Sequence, residues 1–94
     1  MNVISRKALN EYARKHADVR QPLLAWFYEA KAAHWRFPPD IKKSYPSATF
    51  LSGNRVVFNI KGNNYRLLVK VAYNTGVVFI KWAGTHAEYD KQKF

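Results

Sequence analysis

His86, Tyr89 and Asp90 lie close together near the end of the chain, with Lys91 beside them. Histidine exchanges protons near neutral pH. Tyrosine is a poorer base, but a neighbouring cation lowers its pKa. The group therefore offers acid–base chemistry. The competing reading is a C-terminal turn whose tyrosine packs on the rest of the fold. The remaining histidines, His16 and His34, fall near predicted helix ends, where a cap or dipole role explains them. There is no H-x-x-H, no HExxH and no paired acidic motif. There is also no cysteine, which excludes disulfides and thiolate metal sites. The residues predict no metal and no cofactor, and the missing cysteines fit a cytoplasmic protein.

A second set of residues suits binding. Sixteen Lys and Arg oppose six Asp and Glu, a net charge of +10. On so small a chain that excess points to a polyanionic partner, nucleic acid first and an acidic protein second. A membrane surface ranks third, because no basic amphipathic tail stands out. A solvated basic surface with no target is the plain alternative. The position of the cations argues against it. Arg55, Asn59 and Lys61 share one side of an alternating stretch, Arg66 and Lys70 share one side of the next, and Lys81 interrupts the last apolar run. No carboxylate stands between Asp40 and Glu88. A face of one sign suggests a surface that tracks phosphates. Gly62-Asn63-Asn64 is a hairpin turn with one glycine, and needs no functional explanation.

These residues need elements to position them. The length, 94 residues, predicts one domain over 1–94. The N-terminus, Met1 to Ser5, is too short and too polar afterwards for a signal peptide. The longest apolar run, Leu23 to Phe27, is far below membrane-spanning length. Asn2 to Ser5 reads as a short strand, with Ser5 also placed to cap a helix that ends near His16. Asp18 and Gln21 have capping-box spacing for a second helix, and Pro22 argues for a start slightly later still. Val19, Leu23, Trp26, Phe27, Ala30 and Ala33 form its apolar stripe. Asp40 to Ser44 adds one turn. From Thr49 the period switches to two. Thr49–Leu51, Arg55–Lys61, Tyr65–Tyr73 and Val77–Ala83 read as strands, separated by turn-forming Gly and Asn. The fold class is α+β: an antiparallel-rich sheet of about five strands with two N-terminal helices on one face. Thr85 to Lys91 is read as a closing helical turn.

The stretch from Arg55 to Val69 resembles the central hairpin of HigB-type toxins of the RelE-like superfamily. Val78 to Lys91 resembles their C-terminal signature, and Val3 to Ala8 their start. The resemblance covers most of the chain and implies a RelE-like fold. It further implies the toxin of a type II toxin–antitoxin pair, an endoribonuclease that cuts mRNA in the ribosomal A site without a metal. The implied partner is a HigA-like antitoxin with a helix-turn-helix domain, through which operator DNA is reached only indirectly. In this chemistry the RNA 2′-hydroxyl attacks the adjacent phosphate, leaving a cyclic phosphate and a 5′-hydroxyl. In-line attack needs a base, an acid and cations for the developing charge. Arg66 matches the arginine of the family's Tyr-Arg-Leu strand, and its planar fork suits phosphate. His86 and Tyr89 match the His-x-x-Tyr end, with base and acid open between them.

The candidate site is therefore Arg66, His86 and Tyr89 for catalysis, and Arg55, Lys61, Lys70, Lys81 and Lys91 for RNA phosphates. Two rivals share the basic face but not the chemistry. One is a non-catalytic RNA- or ribosome-binding module. The other is a protein whose positive face serves only an acidic partner.

Overall fold

The change of period near Pro46 is a change of layer. Before it the chain is helical, and after it the chain is sheet. The computed structural model describes residues 1–94. Its elements are β1 (Asn2–Ile4), α1 (Lys7–Lys15), α2 (Ala17–Ala32), α3 (Pro38–Ser44), β2 (Thr49–Leu51), β3 (Arg55–Ile60), β4 (Tyr65–Ala72), β5 (Val77–Thr85) and α4 (His86–Asp90). The strand order is β1-β5-β4-β3-β2. β1 runs parallel to β5, while the other neighbours are antiparallel. The chain is thus α+β with a five-stranded sheet. No helix is long and apolar enough to cross a membrane.

One face of the sheet meets the helices. Leu9 and Ala13 of α1 and Val19, Leu23, Trp26, Phe27 and Ala30 of α2 share a core with Val56, Phe58, Leu67, Val69, Val71 and Val78. Phe58 is its centre, edge-on to Trp26 at 5.2 Å and to Tyr45 at 5.0 Å, and stacked on Trp35 at 5.9 Å. Burying one such ring is worth roughly 1.5–3 kcal/mol. Of the apolar stripe read in α2, five residues are buried, and Ala33 is the C-cap.

Four local details differ from the sequence reading. Ser5 has φ +57°, and α1 begins after Arg6 with no side-chain cap. α2 begins at Ala17, so Pro22 lies inside the helix rather than in its first turn. Asp18 does not cap its own helix. It accepts the Tyr65 hydroxyl and faces Lys61 Nζ at 3.4 Å. Finally, β5 carries a bulge. Leu68 pairs with Trp82 and Val69 with Ile80, leaving Lys81 as the extra residue. A bulge reverses the alternation beyond it. Val78 and Ile80 point into the core, whereas Trp82 and Gly84 take the open face opposite Leu68 and Arg66.

Candidate active site

The register lays out the open face in rows. Arg55, Lys70 and Phe79 form one, Val57, Leu68 and Trp82 the next, and Asn59, Arg66 and Gly84 the third. Val57 and Leu68 are buried although they face away from the helices. They make an apolar floor between two cationic rows. Lys70 is exposed, and like charges directly opposite each other, as Arg55 and Lys70 are, repel. Arg55 Nε donates to Ser52 O at 2.8 Å, which holds it against its turn. Lys81, on its bulge, reaches over the Phe79 ring at 5.7 Å.

Arg66 is the one charged residue that is buried, with 8% of its surface exposed. Its Nη1 donates to Asn63 O at 3.0 Å and to Tyr65 O at 3.1 Å, and its Nη2 donates to Asn63 Oδ1 at 2.8 Å. A guanidinium has five N–H donors. These three bonds leave Nε–H and one Nη2–H without a protein partner. That pair is the edge with which arginine grips two oxygens of one anion. No carboxylate pairs with it: the ion pairs of the chain are Lys61–Asp18 and His86–Asp90. A buried charge without a counter-ion is costly, and an anion arriving at that edge relieves the cost.

The Gly62-Asn63-Asn64 turn, for which its residue types alone require no function, therefore supports the site. Asn63 anchors Arg66, and Asn64 O accepts the backbone N–H of His86 at 2.9 Å. One turn thus ties the arginine to α4. Thr85 and Glu88 cap that helix reciprocally: Glu88 N–H donates to Thr85 Oγ1 at 3.0 Å, and Thr85 N–H to Glu88 Oε1 at 2.8 Å. The only sequence sign of Asn63's part is its place three residues before an arginine across a tight turn.

α4 presents the other two candidates. His86 Nδ1 is 3.7 Å from Asp90 Oδ1, both side chains being about half exposed. Tyr89 packs at 6.2 Å from Trp82 and at 5.7 Å from Phe94. Trp82 in turn lies over Gly84, where an added Cβ would meet Trp82 Cη2 at 2.4 Å. Since Gly84 pairs with Arg66, Arg66, Trp82 and Tyr89 belong to the same end of the open face. No motif or spacing in the sequence marks Trp82 or Phe94 as neighbours of Tyr89.

Lys61 requires correction. It was assigned to the cationic face by alternation, but its φ of +52° takes it out of the strand pattern. Its ammonium turns to Asp18 at the start of α2. Lys91, the exposed C-cap of α4, lies beyond the strands.

Behind α4 stands a layer from the helical side. Tyr12 OH donates to Glu88 Oε1 at 3.3 Å and its ring stacks on His16 at 4.0 Å. Burial, followed by the Glu88 charge, pushes Tyr12 up to about 12. The Thr85 backbone N–H, with the Thr85 and Tyr12 hydroxyls, holds Glu88 below the usual carboxylate range. The Tyr65 hydroxyl lowers Asp18 and is itself raised.

The fold and its open cationic face define a small RelE-like protein, and comparison with known proteins identifies the branch. Residues 19–92 match the family described as HigB toxin, the RelE-like toxic component of a toxin–antitoxin system. The chain belongs to that family. It is 28% identical over 92 residues to a protein of Escherichia coli named mRNA interferase toxin HigB, covering 96% of this chain and 88% of the relative. An mRNA interferase HigB of Shigella flexneri matches to the same extent.

Proposed function

We propose that this single-domain toxin is an endoribonuclease that cuts messenger RNA, the activity for which its relatives are named. The observation that carries the reading is Arg66: a buried guanidinium, held by Asn63, lacking a carboxylate and keeping a two-donor edge free. Arg55, Lys70 and Lys81 guide the RNA backbone, and Lys91 extends the path beside α4. The 2′-hydroxyl attacks its own 3′-phosphate. A new O2′–P bond forms, the P–O5′ bond breaks, and the products are a 2′,3′-cyclic phosphate and a 5′-hydroxyl. Arg66 stabilises the phosphorane charge. His86 and Tyr89 move the two protons, one from O2′ and one to O5′. The substrate is message in the ribosomal A site, in the cytoplasm, and a HigA-like helix-turn-helix antitoxin restrains the activity.

A second reading keeps the RNA and drops the chemistry. It is favoured by the partners that His86 and Tyr89 already have, Asp90 for the first and Trp82 and Phe94 for the second. Primer extension after brief induction separates the two. The wild type produces new 5′ ends inside coding sequence and Arg66→Ala does not. Arrest of translation with every transcript intact would establish the binding module instead.

A further inference from the structure

Towards the end of the sheet away from Arg66, the chain leaves an apolar surface uncovered. Phe37 is 65% exposed and Phe50 37%. Pro38, Pro39, Lys42, Lys43 and Phe50 line a shallow hollow, wide open to solvent, of about 500 Å³. Large exposed apolar patches on small proteins mark places where something binds.

What binds is defined by three features. First, β2 ends the sheet and pairs only with β3, so its outer edge is an open template for another strand. Phe50, the middle residue of β2, lies beside the hollow. Second, the rim is cationic. Lys42 and Lys43 have no carboxylate partner. Lys42 Nζ donates to Ala48 O at 3.1 Å and lies 5.9 Å from the Phe50 ring, which leaves two of its three N–H donors for a ligand. Third, the local carboxylate is already engaged. Asp40 Oδ2 accepts the backbone N–H groups of Arg36 at 2.9 Å and Phe37 at 3.1 Å. An extended segment laid along β2 would continue the sheet, set an apolar side chain beside Phe50 and place carboxylates on Lys42 and Lys43.

We infer that the β2 edge and the hollow of α3 form a docking site for an acidic, extended segment of a protein partner, namely the antitoxin. The inference rests on the reading of this chain as a restrained toxin. A protein is favoured over RNA because the open β2 edge offers backbone pairing that a peptide can return and RNA cannot. The segment docks away from the Arg66 turn, so this anchor leaves the catalytic face free to be covered, or left open, by other parts of the partner.

The test uses the full-length toxin and the purified antitoxin encoded beside its gene. Affinity is measured for wild type, for Lys42→Glu/Lys43→Glu, and for Phe50→Ser. Both positions lie on an exposed helix. Because Lys42 Nζ also donates to Ala48 O at 3.1 Å, urea unfolding of the double variant and a Lys43→Glu single variant, which leaves that bond in place, separate lost docking from lost packing of α3. The double charge reversal is expected to weaken antitoxin binding roughly 100-fold while RNA cleavage is unchanged, because reversed charges oppose carboxylates across the contact. Hydrogen exchange at Thr49–Leu51 is expected to slow on binding, as added-strand pairing requires, and this readout does not depend on either variant. Equal affinity of wild type and double variant, with unchanged exchange in β2, overturns the docking site while the restrained-toxin reading stands. A wild type that binds no antitoxin overturns both. Loss of RNA cleavage in the double variant with antitoxin affinity intact assigns the surface to the ribosome or message and overturns the inference. Concentration-dependent dimerisation abolished by Phe50→Ser, with antitoxin affinity unchanged, assigns it to a second copy and likewise overturns it.

Discussion

Replacing Asn63 by alanine separates two effects that replacing Arg66 combines. Arg66→Ala removes a charge from the open face and three hydrogen bonds from the β3–β4 turn. The two backbone carbonyls it abandons, Asn63 O in the turn and Tyr65 O at the start of β4, are part-buried, so the stability loss should fall within about 1–3 kcal/mol. Loss of a preorganised charge contact to the phosphorane costs about 2.7–4 kcal/mol in the barrier, roughly a hundred- to a thousand-fold in rate. Asn63→Ala instead deletes only the 2.8 Å bond to Nη2 and leaves both Nη1 bonds in place. The charge stays and its edge loosens. A hydrogen bond to a charged group contributes about 1.5–3 kcal/mol to stability. Because the charge itself remains, the barrier should rise by less than in Arg66→Ala, by about 1.4 kcal/mol or roughly ten-fold in rate. Arg66→Lys keeps the charge, yet one ammonium cannot span the three acceptors, so its rate should fall between the two alanine variants. Single-turnover cleavage on programmed ribosomes gives the rates, and urea unfolding gives the stabilities. If Asn63→Ala and Arg66→Ala lose equal rate and equal stability, the guanidinium is only a staple for the hairpin. If Arg66→Ala cuts at the wild-type rate once bound, the site lies elsewhere.

Gly84→Ala should displace Trp82, because the new Cβ would sit 2.4 and 2.5 Å from its ring carbons. Trp26 and Trp35 are buried, so a red shift in tryptophan emission reports Trp82 leaving its site, and cleavage should fall with it; unchanged emission and activity would show that the ring does not organise Tyr89. Glu88 and Tyr12 should give stability a two-sided pH dependence. Glu88 is lowered from 4.5, so its contribution is full above pH 4.5 and lost as pH falls through the folded value. Tyr12 is raised from 10.0 to about 12, so its contribution is full below pH 10.0 and lost as pH rises towards 12. Glu88→Gln should flatten the acid limb of a Tm-versus-pH curve, and an unchanged limb would place the acid sensitivity in other groups.

The sheet was legible in the sequence wherever local rules act alone. The β-branched and aromatic alternation of Arg55–Ile60 and Tyr65–Ala72, with glycine at the turns, marks strands because each side chain's face depends only on its neighbours. Arg66 was found by that same parity and by family resemblance. What failed depends on contacts distant in sequence or on backbone that departs from the repeat. Lys61 was misplaced because one left-handed residue ends the alternation and Asp18, distant in sequence, captures the ammonium. The bulge at Lys81 shifts every later residue of β5 to the opposite face, which hides Trp82 from a parity argument. Asp18 resembles a helix cap until Tyr65 and Lys61 compete for its oxygens. Asn63 was dismissed because its role is a hydrogen bond across a turn whose residue types already had a sufficient local explanation.

The placement of the few carboxylates decides how the open face meets RNA. Asp18 is held by Tyr65 and Lys61, Glu29 by Tyr45 at 2.7 Å, Asp40 by the start of α3, Glu88 by the start of α4, and Asp90 lies beside His86. None of them stands among Arg55, Arg66, Lys70 and Lys81. These four cations are therefore free to displace counterions from a single-stranded message. Each neutralised phosphate contributes about −0.7 to the slope of log affinity against log salt, so these four give roughly −2.8, to which Lys91 adds about −0.7 where the RNA reaches α4. Lys70→Ala should reduce its magnitude by about 0.7, and Arg55→Ala by a similar amount. Lys61→Ala should leave it unchanged, because that ammonium already faces a carboxylate on the helical side. Binding of a cleavage-resistant RNA with a 2′-deoxy substitution at the scissile step, titrated with salt, measures all four proteins under one condition. An equal change for Lys61→Ala and Lys70→Ala would mean that the RNA path crosses the β3–β4 turn towards α2, and the phosphate track would have to be redrawn around the Asp18 pair.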